Sequence, residues 1–360
     1  MRTRDTGSMR LRALAFVAVL AVCTAGIAAY ALRAKHRASA ELATATADSA
    51  ALTFTPVDVL PGASDASPRP FAVFRSTALG PSYGRVVLAY LDAGDGARGM
   101  GPMSCDRVHY ASGSGICLQA LRGAVTTYRG TLFDSHFKTR RTFELAGPPS
   151  RARISPDGRR AGFTVFINGQ AYANPGFTTR SSIVDALSGA PLVDDLETWA
   201  VSKDGVAFKQ ADFNFWGVTF PHDPDRFYAT LGTGGRTYLV EGRLSSHHMT
   251  VVAADVECPS LSPDDTRIAF KRRATGGPQG QLLWHVAVLD LASGRVVVLQ
   301  GESRSVDDQV EWRDTRTILY GMPVDSQRSS AETDVWAIAA DDSVPSRRLL
   351  PFAFSPAVSR

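Results

Sequence analysis

From Phe71 onward, apolar residues come in short runs or in alternation with polar ones, punctuated by Gly, Pro, Asp and Ser. Phe71 to Arg75, Arg85 to Leu91, Val125 to Phe133, Arg236 to Val240, Val286 to Leu289, Arg295 to Leu299 and Thr317 to Gly321 each read as strands. No long stretch here carries the 3.6-residue period of an amphipathic helix, so the pattern predicts an all-β fold. The N-terminal part is different. Ala13 to Leu32 is nearly all apolar, with no charge between Arg12 and Arg33. That is about 20 residues, enough to span a bilayer as a helix. Residues 38–70 are rich in Ala, Thr, Ser, Asp and Pro, without sustained period, and read as a flexible spacer in which the Ala-Thr-Ala-Thr run is compatible with a short helix. The expected organisation is a cytoplasmic tail and signal anchor over 1–37, a spacer over 38–70 and a β domain over 71–360.

The β domain is organised around one device, a strand, a tight turn and a second strand, most plainly from Cys258 to Phe270. Ser262-Pro263-Asp264-Asp265 is turn chemistry: Pro263 presets φ, and the Ser and Asp side chains can bond back to the backbone. The same device occurs at Arg153 to Phe163, with Ser155-Pro156-Asp157-Gly158 as the turn. Segments suited to be the first strand of such a hairpin centre near Val108, Arg153, Val218, Leu261, Val310 and Ala357, about 50 residues apart on average. That period fits four-stranded propeller blades. The longest step, Arg153 to Val218, predicts an inserted hairpin around Gly205 to Phe215. Ser355 to Val358 carries the first-strand pattern with no outer strands after it, whereas Phe71 to Arg75 and Arg85 to Leu91 have no first strand before them. Joining these ends predicts a sixth blade and a closed ring without exposed sheet edges.

These motifs resemble the repeats of TolB-like, WD-type β-propellers. The two Ser-Pro-Asp turns, each followed by a strand ending in Phe163 or Phe270, are similar to the family's hairpin. Val286 to Gly294 and Asp334 to Ile338 resemble its third strand. The resemblance covers about residues 71 to 360, and Tyr110 to Gly115 and Phe220 to Arg226 depart from the turn motif. It implies a six-bladed propeller in an extracytoplasmic location.

Charge agrees with a membrane-proximal N-terminus. The net charge is +4, but Arg2, Arg4, Arg10, Arg12, Arg33, Lys35 and Arg37 face only Asp5 within residues 1–37, so the remainder is slightly acidic. A near-neutral domain offers no electrostatic footprint for nucleic acid. The long apolar core followed by basic residues favours an uncleaved anchor with a cytoplasmic N-terminus; the alternative is cleavage at Ala38-Ser39-Ala40 and secretion. Arg outnumbers Lys 34 to 5, in keeping with a GC-rich bacterial genome. Cys105 and Cys117 flank a hairpin-like stretch and are either a disulfide or two buried thiols. No Cys/His grouping has zinc spacing, and no cofactor or metal is expected.

Candidate chemistry is sparse. Gly80-Pro81-Ser82-Tyr83-Gly84 matches the G-x-S-x-G pattern, but a strand follows it where a nucleophile elbow needs a helix. Gly232 to Arg236 reads as a hairpin turn rather than a phosphate cradle, His247-His248 as surface, and Asp223 and Asp225 as an Asp-Pro turn. Inner strands line a propeller's channel, which makes His109, Arg153 and Glu311 the candidate ligand contacts, with pairing among themselves or with ordered water as the alternative. Phe213, Asn214, Phe215 and Trp216 form the most unusual local composition and are the candidate rim surface for a partner, with packing between blades as the alternative. The expected function is non-enzymatic binding of a protein, peptide or envelope polymer by a membrane-anchored propeller. The rival is a lyase or hydrolase with its site at the channel mouth.

Overall fold

The computed structural model describes residues 6–49, 52–60, 69–92, 98–173, 176–274, 282–324 and 332–359. They form two compact units, one ending at Ala51 and one starting at Leu52. The first is a helix, Thr6–Ser49. Its stretch Leu14–His36 has a mean hydropathy of 2.2, long and apolar enough to cross a membrane.

The second unit is a six-bladed β-propeller whose sheets follow one another along the chain. Its inner strands are Arg107–Ala111 in blade 2, Pro149–Ile154 in blade 3, Asn214–Thr219 in blade 4, Glu257–Leu261 in blade 5 and Glu311–Trp312 in blade 6. Blade 1 takes its inner strand, Ala353–Ser359, from the C-terminus and its next strand, Phe71–Ser76, from the start of the domain. Each inner strand touches the next around the ring, and that of blade 6 touches that of blade 1. The ring is therefore closed by a blade shared between the two ends, as the motif count predicted.

Residues 38–70, expected as a spacer, hold more structure than composition suggested. The helix runs on to Ser49, and Phe54–Pro56 pairs in parallel with Arg98–Ser104 as the outermost strand of blade 1. Leu60 is buried, and its N–H donates to Ser135 O at 2.6 Å. Residues 61–68 lie outside the described ones. The inserted hairpin lies just upstream of its expected place: Ala200–Lys203 and Val206–Phe208 extend blade 4, with Ala200–Lys203 parallel to His248–Ala254. Cys105 and Cys117 are disulfide-bonded, with Cα atoms 5.4 Å apart. The bridge ties the connection between blades 1 and 2 to the second strand of blade 2.

The repeated turn owes its shape to its side chains. Ser155 O accepts from Gly158 N at 2.9 Å, Ser155 Oγ accepts from Arg160 N at 2.9 Å, and Asp157 Oδ1 accepts from Arg159 N at 3.1 Å. Ser262 and Asp264 repeat these contacts in blade 5. Gly158 has φ of 71° and Asp265, at the equivalent place, 57°. Only Gly158 needs to be glycine, because a Cβ there would sit 2.7 Å from Ser112 O of the neighbouring blade. Between blades, large side chains fill the wedge. Phe215, Phe227, Leu231 and Val240 form one such cluster, and Trp312, Tyr320, Val286 and Val310 another.

Candidate functional site

The C-terminal halves of the inner strands converge on a cavity of about 310 Å³ at one mouth of the channel. His109, Arg153 and Glu311 all line it, brought together from blades 2, 3 and 6. Arg153 Nη1 and Glu311 Oε2 form an ion pair, and Arg153 Nη2 donates to Val310 O at 3.1 Å. His109 Nδ1 accepts from Ile154 N at 3.1 Å, so a neutral ring carries its proton on Nε2. That nitrogen lies 3.7 Å from Glu311 Oε2. All three side chains are at most 7% exposed. His222, whose Nδ1 is 3.0 Å from Asp265 Oδ2, stands at the rim of the same cavity.

The N-terminal ends of the inner strands, joined by Lys271 from the second strand of blade 5, build a second, more highly charged cluster. Arg107 Nη1 reaches Asp308 Oδ1 at 3.3 Å, while Arg151 Nη2 at 3.4 Å and Lys271 Nζ at 2.5 Å share Asp307 Oδ1. Lys271, with no exposure, lies over both the Tyr172 and Trp284 rings, at 4.7 and 4.4 Å. Burial pulls the Asp307 carboxyl up, but Lys271 and Arg151 outweigh it and hold it down at about 2. Burial, with Arg151 beside it, brings the Arg107 guanidinium down to about 10. This cluster was missed in the sequence, although a signal was present. Arg107 precedes His109 by two residues and Arg151 precedes Arg153 by two, so each pair lies on one face of an inner strand.

A larger cavity, of about 1040 Å³, opens on this second face between blades 3, 4 and 5. Its floor is aromatic. Trp216 lies 5.6 Å from Tyr172 and 5.3 Å from Phe177, centroid to centroid. Asn214 clamps the floor: its Oδ1 accepts from Thr179 N at 2.9 Å and Oγ1 at 2.7 Å, and its Nδ2 donates to Phe177 O at 3.1 Å. The rim is polar. Asp212 accepts from Thr233 Oγ1 at 2.5 Å and Gly234 N at 2.7 Å. Asp195 accepts from Glu197 N at 3.1 Å and sits 3.4 Å from Arg180 Nε. Burial, and then Asp195, push the Glu197 carboxyl up.

The expected rim surface of Phe213, Asn214, Phe215 and Trp216 divides accordingly. Phe213, Asn214 and Trp216 line this cavity, but Trp216 is only 1% exposed. Phe215 is fully buried among blade 3 and 4 residues, because alternation along Asn214–Thr219 turns it to the opposite side. Phe215 is therefore a packing residue and not a rim anchor. Gly80 to Gly84 is a turn, and Gly234-Gly235 is the two-residue turn of a hairpin closed by Thr233 and Arg236. His247 stacks on Trp199 at 5.0 Å, His248 Nε2 meets Ser202 Oγ at 2.9 Å, Asp223 Oδ1 accepts from Asp225 N within their turn at 2.9 Å, and Asp225 Oδ1 accepts from Ser245 N at 2.7 Å. Among the described residues no group of three or more His, Cys, Asp or Glu is placed to hold a metal ion.

Similarity to solved structures agrees with this fold. TolB from Acinetobacter baumannii is 17% identical, with 84% of this chain and 68% of that chain covered and a TM-score of 0.54. A chain of the nidogen/laminin complex is 10% identical, with 81% and 97% covered and a TM-score of 0.50. A putative TolB from Agrobacterium tumefaciens is 10% identical, with 80% and 91% covered and a TM-score of 0.46. No protein-family model matches the chain, and no curated protein matches it.

Proposed function

We propose that this chain, with its TolB-like propeller fold, is a membrane-anchored, extracytoplasmic binding module whose partner is a protein. The observation that carries the reading is the cavity of about 1040 Å³ with its clamped aromatic floor and polar rim. Its shape is pre-formed: Asp212, Asp195 and Asn214 are spent on holding loops and floor in place. A concave apolar surface ringed by hydrogen-bonding groups is what a protein or peptide partner needs. The nidogen/laminin complex supplies a propeller-like chain from a protein complex, at a TM-score of 0.50. The helix over Leu14–His36 supports the anchor, and the Cys105–Cys117 bridge suits an oxidising compartment.

The test is capture by the tagged full chain, purified from membranes in detergent. Ile167, 53% exposed, and Arg236 both border the cavity. A specific protein retained by the native chain and lost with Ile167→Asp and Arg236→Asp supports the reading. Retention unchanged by both substitutions contradicts it.

A second reading, a lyase or hydrolase, draws on one observation: three titratable side chains, His109, Arg153 and Glu311, meet in a small cavity at the opposite mouth. Turnover in a panel of sugar and ester substrates, abolished by His109→Gln, would favour it.

A further inference from the structure

A third opening, of about 440 Å³, lies on the highly charged face where blades 1, 2 and 3 meet. Its charged lining is Arg75, Arg107, Arg122 and Asp106. Asp106 is already committed: its Oδ2 accepts from Ala120 N at 2.6 Å, and its Oδ1 lies 3.8 Å from Arg122. Arg107 leans on the Phe354 ring, 4.5 Å from its centroid, and reaches Asp308 behind it. Asp308 in turn accepts from Gly321 N at 2.8 Å. Among the described residues the Arg75 side chain has no anionic partner and makes no hydrogen bond; it stacks over Tyr83 at 4.6 Å, and its Nε is buried without an acceptor.

Three guanidinium groups therefore share two carboxylates, leaving one positive charge uncompensated beside a buried, unused donor. A buried donor without an acceptor is costly, and a guanidinium presents a planar fork matched to a carboxylate. Arg151 and Lys271, sharing Asp307 behind Arg107, add to the positive excess, and the two oxygens of a carboxylate match the Arg75 fork. Tyr128, Pro149 and Phe354 supply an apolar wall beside the arginines. Burial, and after it the proximity of Arg151, brings Arg107 down to about 10.

We propose that this opening binds the free C-terminal carboxylate of a peptide chain ending in an apolar residue, with Arg75 as the principal contact and Arg107 as the second. The inference rests on the reading of the chain as a protein-binding module and names the group the partner presents.

The test uses the full chain in detergent and a fluorescein-labelled pentapeptide, Gly-Ser-Gly-Ala-Leu, either as the free acid or as the C-terminal amide, read by anisotropy. The free acid is expected to bind saturably and the amide at least tenfold more weakly. Arg75→Gln is expected to weaken the acid at least tenfold, and Arg75→Lys less. If Arg75→Gln lowers the unfolding temperature, Arg122→Glu replaces it. That side chain is 75% exposed, and the change is expected to weaken the acid several-fold. Equal binding of acid and amide, no saturable binding of the acid, or indifference to the arginine substitutions overturns the proposal. Binding of galacturonate without binding of the peptide acid overturns the peptide assignment. Partner capture that still depends on Ile167, with no selectivity for the acid, removes this site and leaves the binding module standing.

Discussion

Ala72, near the start of the propeller, and Val358, near its end, are opposed in one antiparallel ladder and buried in the same apolar cluster. The pairing makes blade 1 a joint product of both ends of the domain. Its neighbours reinforce it: Thr77 Oγ1 donates to Thr333 O at 3.0 Å, tying blade 1 to blade 6. Folding of the ring thus requires the C-terminal strand. Val358→Asp places an unpaired charge where 4% of the side chain is exposed. It is expected to cost about 3 kcal/mol or more, read as a lowered urea midpoint by tryptophan fluorescence. An unchanged midpoint would show that the last strand does not complete the blade.

The Cys105–Cys117 bridge closes a short loop, with a sequence separation of 12. Replacing both by Ala is expected to cost about 2–4 kcal/mol, measured by equilibrium unfolding without reductant. The native chain in strong reductant should approach the double variant. Cys258, buried and unbridged, should show no comparable sensitivity.

Gly158 and Asp265 occupy the same place in two copies of one turn, and they predict opposite responses. Gly158→Ala forces a Cβ to within 2.7 Å of Ser112 O at a φ of 71° and is expected to destabilise by about 1–3 kcal/mol. Asp265→Gly relieves a left-handed backbone and gives up the contacts to His222 N and Nδ1. Its expected change is within about 0.5 kcal/mol, since the pair is exposed. Thermal unfolding of the two variants side by side checks the contrast.

Acid should unfold the propeller late. Burial raises Asp307 and Glu302, but Lys271 and Arg151 in the first case, and Arg304 and Tyr320 in the second, hold them at about 2, below ordinary values of 3.8 and 4.5. Folded values below unfolded ones mean that the stabilisation is present in full above pH 4.5. It is lost as the pH falls through that value toward 2. Asp307→Asn is expected to flatten the loss between pH 4 and 2 in urea midpoints while lowering stability at neutral pH. A midpoint that falls equally steeply in the variant would contradict the assignment.

Much of the ring was legible because its signals are local. Ser-Pro-Asp turns placed before Arg160 and Arg267 mark inner hairpins wherever they occur, and the orphan strand at Ser355 to Val358 forced closure. The Phe54–Pro56 strand was not legible: it is three residues long and partly exposed, so it carries no alternation, and its pairing with Arg98–Ser104 is a tertiary matter. His109, Arg153 and Glu311 were found by placing polar residues on inner strands, and they do meet. The large cavity was not found, because its walls come from separate parts of the chain, Phe177 to Arg180, Asp195 to Glu197 and Gly232 to Arg236, whose proximity no sequence period encodes. Phe215 misled for a simple reason: aromatic density marks interblade packing as readily as recognition.

The most direct test of the binding module is site-specific photocrosslinking of the full chain in its native membrane. A photoreactive residue at Ile167, on the rim of the large cavity, is compared with one at Val344, which is 55% exposed and borders neither that cavity nor the arginine-lined opening. The account predicts a discrete crosslinked protein at Ile167 and none at Val344. No adduct at Ile167, or the same adduct at both positions, would contradict it.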